Sequence, residues 1–295
     1  MNPTVTVVIP TLNRCEMLRD AIGSVCAQDY PIHELIVVDD GSTESLEPAL
    51  VGHPLVPTVV RHSTNRGHSA ARNSGIAAAT GDLIAFLDSD DRWLPRKLSL
   101  QVPYFAADPD VGLVGGGIQY IDSLGAFIKE PRTEDEIVTY RDMALDLFLS
   151  GSSTTAIVRA EVFGRVGIFD ESLPLLEDWD MWLRISRHYG VRNVQSPVAQ
   201  VRWHQELRAH RPEPERFARV TEEVRARINA TIINGCLRRR AEALTHFHLS
   251  RFWWRAGRRA TALGFLARSL VTWPFRIHRY RPRLRAIIGL ATGRW

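Results

Sequence analysis

Short apolar, β-branched runs that end in polar or acidic clusters, with helical patterns between them, set the main constraint on this chain. Thr4 to Ile9 reads as a strand and leads into a helical pattern from about Arg14 to Ala27. Glu34 to Val38 is a continuous apolar strand that ends in Asp39-Asp40-Gly41-Ser42. Thr58 to Arg61 is a weaker strand, and Ser69 to Ala79 is an alanine-rich helix ending near Gly81. Asp82 to Leu87 is another buried strand, followed by Asp88-Ser89-Asp90-Asp91. Strands alternating with helices imply βαβ units with right-handed crossovers. The expected fold is α/β, with a mostly parallel, Rossmann-like sheet flanked by helices. In such sheets ligands bind beyond the carboxyl ends of the strands. Three loops, after the first, second and fourth strands, therefore converge on one crevice, and two of them are acidic.

The middle of the chain is less regular. Val111 to Ile121 reads as a strand interrupted by Gly115, Gly116 and Gly117, a sign of close backbone approach or a bulge. Ser123 to Gly125 reads as a turn, Thr154 to Val158 as a strand and Glu161 to Val166 as a short helix. Glu177 to His188 is helical, and Val198 to Trp203 alternates like a strand. From about Glu213 the pattern is helical to the end, with breaks at Pro274 and Pro282.

Charge also divides the chain. From Cys236 onward there are fourteen arginines and one acid, Glu242, a net charge of +13, so the remainder of a chain of net charge +4 carries −9. We expect an α/β domain over residues 1–212 and a basic, tryptophan-rich helical extension over 213–295. The tail needs an anionic neighbour, and the acidic body needs something that tolerates clustered carboxylates. No apolar run reaches the roughly 18 residues that span a bilayer. The N-terminus MNPTVTVVIP reads as a first strand and not as a signal peptide. Three cysteines without metal-ligand spacing (Cys15, Cys26, Cys236) argue against a disulfide framework, so a reducing cytoplasm is expected.

Three carboxylates in Asp88-Ser89-Asp90-Asp91 raise one another's pKa unless a cation sits among them. Hard oxygen ligands suit Mg²⁺ or Mn²⁺, and Mg²⁺ usually completes its shell with substrate phosphates. One reading is a site for a metal–diphosphate. The other is a solvated turn in which Asp91 caps the helix after Pro95. Asp39-Asp40 accepts from a base N–H or a ribose hydroxyl, or simply belongs to a turn for which Gly41 supplies positive φ. Pro10-Thr11-Leu12-Asn13-Arg14 is a helix start capped by Asn13, or a wall for the base with Arg14 for phosphate.

Six motifs in order resemble the family 2 glycosyltransferases, with a GT-A fold. They are Val8-Ile9-Pro10-Thr11-Leu12-Asn13-Arg14, Ile36 to Ser42, Asn65-Arg66-Gly67 with Ala71-Arg72-Asn73, Gly81-Asp82 running to Asp91, Val166 to Glu171, and Glu177-Asp178-Trp179-Asp180-Met181-Trp182-Leu183-Arg184. The resemblance covers roughly residues 3 to 204 and implies a nucleotide-diphospho-sugar donor. Thr11 and Asp39 or Asp40 would contact a uridine-like nucleoside, and Asp88 would lie near the ribose. Asp90, with Asp88, would hold a divalent Mn²⁺ or Mg²⁺ on the diphosphate. Arg72 and Asn73 would shape the donor site. Arg202-Trp203-His204 is similar to a late Arg-x-His element of the family, which makes His204 a further metal ligand.

The resemblance makes Asp178 the catalytic base, and the local pattern agrees. Glu177 and Asp178 open a helix whose apolar face includes Met181, Trp182 and Ile185, and a helix N-terminus stabilises an ionised carboxylate. Trp179 is expected against the acceptor. The chain is thus expected to be an inverting, metal-dependent glycosyltransferase acting on a glycan or lipid-linked acceptor, in cell-envelope or extracellular polysaccharide synthesis. Its alternating Arg and Trp tail suits an anionic membrane surface, at the inner face of the plasma membrane. Nothing resembles a nucleic-acid fold, so nucleic acid is not an expected partner. A sugar nucleotidyltransferase usually has a Gly-rich, basic first loop, which this chain lacks. A non-catalytic nucleotide-sugar or glycan binder would not need all of Asp39, Asp88, Asp90 and Asp178.

Overall fold

The computed structural model describes residues 2–133, 135–145, 152–203 and 214–274. The chain forms two compact units, Met1–Met143 with Leu147–Ala209, and Ala144–Asp146 with His210–Trp295.

The first unit is built on a ten-stranded sheet. Its first half is β1 (Val5–Thr11), α1 (Cys15–Cys26), β2 (Glu34–Asp39), α2 (Glu47–Leu50), β3 (Thr58–Arg61), α3 (His68–Ala78) and β4 (Leu83–Phe86). These four strands are parallel, in the order β3-β2-β1-β4. The second half is β5 (Arg92–Trp93), α4 (Lys97–Ala107), β6 (Val111–Ile121), β7 (Phe127–Arg132), β8 (Ile137–Val138) and α5 (Tyr140–Leu145). It continues with a 3₁₀ turn (Ser152–Thr155), β9 (Ile157–Arg159), α6 (Ala160–Val166), α7 (Glu177–Ser186) and β10 (Gly190–Arg202). Here β9 enters antiparallel between β4 and β6, and β6 pairs in parallel with β10. The expected strand at Thr154 is part of the 3₁₀ turn, and extended pairing begins only at Ile157.

Every residue of β1 is buried, so it runs through the centre of the sheet. On one face Val5, Val7 and Ile9 pack on Leu18, Ile22 and Val25 of α1. Burial of each such side chain contributes about 1.5–3 kcal/mol. The register sets Thr11 beside Asp39, and Asp39 beside Arg61. Beyond the last pairs, Asp40 N donates to Thr11 O at 2.9 Å and Leu87 N to Val8 O at 3.1 Å. The loops after β1, β2 and β4 thus leave one sheet edge together. Glycine at 116 has a packing reason: a Cβ there would lie 2.6 Å from Val198 Cγ2 of β10.

Two expected helix caps are absent. Asn13 has φ 52° and turns its Oδ1 away from α1, to accept from Thr43 N at 2.8 Å and Glu44 N at 3.3 Å. It ties the first loop to the second. Asp91 is buried, accepting from Thr154 Oγ1 at 2.5 Å and Arg202 N at 2.9 Å, while α4 begins at Lys97 without a side-chain cap.

The second unit contains the helices Pro214–Ala230, Gly235–Arg255 and Arg259–Thr272. Their aromatic residues largely form this unit's own core. Trp253 packs with Ala218, Leu249 and Ala262, and Phe247 with Leu266. Arg238, Arg239, Arg255, Arg258, Arg259 and Arg268 are exposed. Phe275, Arg276 and Pro282 lie outside the described residues. No helix among the described residues is long and apolar enough to cross a membrane.

Candidate active site

The carboxyl ends of β1, β2 and β4 open onto a cavity of about 430 Å³ in the first unit. The end of β1 contributes Pro10 and Thr11, the loop after it Arg14, and the loop after β2 Asp40. Arg72 reaches it from α3, Asp88 and Asp90 from the loop after β4, and Glu177 and Asp178 from the first turn of α7. One helix start and three strand ends are therefore brought together from residues up to 168 positions apart.

The two aspartates after β2 have different roles. Asp39 is buried, accepts from Ser42 N at 2.8 Å and pairs with Arg61 Nε at 2.9 Å. It closes the turn and is not among the cavity residues, so its expected nucleoside contact is corrected to a structural one. Gly41 completes this turn with φ 84°, where a Cβ would meet the Thr64 backbone at 2.5 Å. Asp40 faces the cavity and organises its wall. Its carboxylate accepts from Arg66 N at 2.9 Å and Gly67 N at 2.8 Å, and lies 2.6 Å from His62 Nδ1. His62 Nε2 in turn lies 2.8 Å from Ser74 Oγ.

Arginines balance the acid loop. Arg14 Nη1 lies 2.8 Å from Asp90 Oδ2. The buried Arg72 spans two carboxylates, with Nη2 2.8 Å from Asp88 Oδ1 and Nη1 2.9 Å from Glu177 Oε1. Burial opposes the Arg72 cation, but Asp88, Glu177 and Asp178 outweigh it and hold the guanidinium protonated. Burial also opposes ionisation of Asp88. Arg72, aided by His68 and Arg14, nevertheless keeps that carboxyl below its ordinary value. Asp91 lacks such a cation, so burial and the charges of Asp90 and Asp88 push its carboxyl well above the ordinary value. Arg72, expected to shape the donor site, lines the cavity, and its charged nitrogens hold the acid loop to α7.

Asn73 acts beside it. Its amide donates to Phe169 O and Glu171 Oε1, both at 2.9 Å, and accepts from Phe169 N at 2.9 Å. It fastens the segment before α7 and does not line the cavity. Leu176, the residue preceding α7, has φ 62° and ψ 19°. A non-glycine residue in this left-handed region costs about 1–2 kcal/mol, and it turns the chain so that Glu177 and Asp178 start the helix at the cavity. Asp178 Oδ1 accepts from Trp179 N at 2.6 Å.

Trp179 is a correction. It is fully buried, and its indole donates to Met143 O at 2.7 Å. A ring enclosed by core has no face for an acceptor. His204 lies outside the described residues. Thr11 Oγ1 and Ser153 Oγ, both buried at the cavity, have no hydrogen-bond partner among the described residues. Ser153 was not singled out from sequence: it sits in a one-turn 3₁₀ segment with no periodicity to reveal its direction.

The Glycosyl transferase family 2 model matches residues 6–167. An uncharacterized glycosyltransferase of Rickettsia felis is 29% identical over 209 residues, covering 69% of this chain and 35% of the relative. YwdF of Bacillus subtilis, also an uncharacterized glycosyltransferase, is 31% identical over 208 residues, covering 67% of this chain and 72% of the relative. The chain spans about a third of the length of the Rickettsia felis, R. bellii and R. conorii relatives. Among solved structures, S. aureus TarS 1–349 superposes with TM-score 0.64 at 19% identity, covering 92% of this chain and 81% of that one. The mannosyltransferase PcManGT from Pyrobaculum calidifontis, in complex with GDP-Man and Mn²⁺, superposes with TM-score 0.62 at 21% identity, covering 99% and 80%. At these identities the superpositions speak to the fold.

Proposed function

The chain belongs to glycosyl transferase family 2 and has a GT-A fold, and on that premise we propose that it is an inverting, metal-dependent glycosyltransferase. In this reading it moves a sugar from a nucleoside-diphosphate donor of the UDP or dTDP type to a hydroxyl of a glycan or lipid-linked acceptor. The observation that carries the reading is the convergence of Thr11, Asp40, Asp88, Asp90 and Asp178 on one cavity. Solved relatives have been captured with UDP, UDP-GlcNAc and GDP-Man.

Pro10 and Thr11 wall the nucleoside, with Asp40 as acceptor for a base or ribose donor. The unpartnered Thr11 hydroxyl supports a ligand contact there, because a buried hydroxyl without a partner is destabilising by about 1–3 kcal/mol. Asp178 takes the proton of the acceptor hydroxyl as that oxygen bonds to the anomeric carbon. The bond from this carbon to the diphosphate oxygen breaks on the opposite face, so configuration inverts. A positioned base accelerates such a step by about 10²–10⁴-fold.

The acid loop fits a divalent cation that arrives with its diphosphate. Among the described residues no group of three His, Cys, Asp or Glu side chains can hold an ion by itself. A hard cation bound by one or two carboxylates takes its remaining oxygens from phosphate and water. Asp90 and Asp88 would hold Mn²⁺ or Mg²⁺, with His204 as a third ligand in this reading. When bound, the ion supplies charge stabilisation to the leaving diphosphate.

The exposed arginines of the second unit suit a peripheral position on an anionic membrane, at the cytoplasmic face, where a lipid-linked acceptor would be within reach. Because Trp253 is buried, charge and not aromatic insertion carries this part of the reading. Envelope or extracellular polysaccharide synthesis is the process it would serve.

Calorimetric titration with UDP, dTDP and GDP, with and without Mn²⁺, tests the proposal. Asp178→Asn is expected to lower transfer at least 100-fold with diphosphate affinity within about twofold of wild type. Asp90→Ala is expected to remove the Mn²⁺-dependent part of binding. Normal turnover in Asp178→Asn removes the base assignment, and a wild-type protein that binds no nucleotide removes the whole reading.

A further inference from the structure

Several polar atoms of the 3₁₀ turn at the cavity are held by hydrogen bonds. Trp93 Nε1 donates to Thr154 O at 2.8 Å. Lys97 Nζ and Gln101 Nε2 both donate to Thr155 O, at 3.2 and 2.9 Å. Thr154 Oγ1 donates to Asp91 and accepts from Asp88 N at 3.3 Å, and Ala156 N donates to Ser153 O at 3.0 Å. Lys97 is fully buried, with its amine 4.4 Å from the centroid of the Trp93 ring and 2.6 Å from Gln101 Oε1. Trp93, Lys97, Gln101 and Asp91 thus hold this turn in one conformation.

One group is left out of that network. Ser153 is 1% exposed and its Oγ has no hydrogen-bond partner among the described residues, yet the residue lines the cavity beside Asp88, Asp90 and Asp178. Buried polar groups in native proteins are almost always satisfied. A buried hydroxyl left unpaired at a cavity can be satisfied by a ligand bound there. Its chain neighbour Thr154 accepts from the backbone N–H of Asp88 at 3.3 Å, which puts Ser153 beside the acid loop.

Resting on the glycosyltransferase reading above, we infer that Ser153 is a specificity residue whose hydroxyl hydrogen-bonds a hydroxyl or amide substituent of the transferred sugar. Trp93, Lys97 and Gln101 are positioning residues that hold it there. The nucleoside and diphosphate do not depend on it.

The test is titration of wild type, Ser153→Ala and Ser153→Thr with UDP, and with whichever of UDP-glucose, UDP-galactose and UDP-N-acetylglucosamine wild type binds most tightly. Loss of one ligand hydrogen bond is expected to weaken the nucleotide-sugar about three- to tenfold in Ser153→Ala. UDP affinity should stay within about twofold, and Ser153→Thr, which keeps the hydroxyl, should restore discrimination. Thermal melting of unliganded Ser153→Ala should match or exceed wild type, since no protein bond is removed. Equal weakening of UDP and UDP-sugar, or of neither, overturns the assignment. Failure of wild type to bind UDP or any of these sugars overturns the assignment, whereas failure to bind UDP, dTDP and GDP alike overturns the underlying reading, a distinct result.

Discussion

Arg14 Nη1 lies 2.8 Å from Asp90 Oδ2, so the carboxylate proposed to meet a divalent cation is already matched by a cation of the chain. The two side chains are 34% and 16% exposed, so the pair is only partly screened. A metal ion must compete with Arg14 for this oxygen, and an Arg14 set free can turn to the diphosphate that accompanies the ion. Arg14→Gln should therefore bind Mn²⁺ more tightly than wild type when no nucleotide is present, by up to about fivefold for a pair worth up to about 1 kcal/mol. It should bind nucleoside diphosphate more weakly. Electron paramagnetic resonance of free Mn²⁺ reads the first effect, and calorimetry the second.

Arg72 is predicted to matter first for stability. Replacement by Met removes the cation shared by Asp88 and Glu177 and leaves two carboxylates without their partner. Breaking a buried ion pair costs about 3–5 kcal/mol. Asp88 is about a third exposed, so solvent screening reduces the expected cost to about 2–4 kcal/mol. Urea unfolding of Arg72→Met and Arg72→Lys measures it. Lys keeps the charge but reaches only one carboxylate well, so it should fall between Met and wild type.

Asp91 and Asp88 should leave opposite marks on the pH dependence of stability. Asp91 titrates above its unfolded value, so its contribution is fully present at low pH and is lost as pH rises through the elevated folded pKa. Asp88 titrates below its unfolded value, so its contribution is present at neutral pH and is lost as pH falls below about 4. Asp91→Asn keeps the shape of the buried group without a titrating proton. Its melting temperature should gain on wild type as pH rises from about 4 to 8, and a constant difference across that range would contradict the assignment.

Membrane attachment, if carried by charge, should scale with the exposed arginines of the second unit. A polybasic surface gains about 1 kcal/mol per arginine at an anionic bilayer. Changing Arg238, Arg239, Arg255, Arg258 and Arg259 to Gln should abolish co-sedimentation with phosphatidylserine vesicles at low salt and leave neutral vesicles unaffected. Retained binding to anionic vesicles would rule out this surface.

Much of the site could be read before the fold. Thr11, Asp40, Asp88 and Asp90 follow apolar runs, and parallel strands joined by right-handed crossovers deliver their carboxyl ends to one edge. Glu177 and Asp178 announce a helix start by charge. Other features were illegible. Asp39 and Asp40 are adjacent and chemically alike, and only the register beside Arg61 assigns one to the turn and the other to the cavity. Trp179 follows Asp178 directly, yet its neighbour faces the cavity while it enters the core.

From sequence alone came the alternating architecture, the edge at which chemistry gathers, and the separation of an acidic body from a basic tail, because these follow from local periodicity and charge. Tertiary structure alone decided which cation meets which carboxylate, why Asn13 and Asp91 cap no helix, and that Ser153 stands unpaired at the cavity. Those outcomes depend on distances between residues as much as 111 positions apart, as in the Asp91–Arg202 bond, and on how burial changes the strength of each charge, neither of which a linear pattern contains.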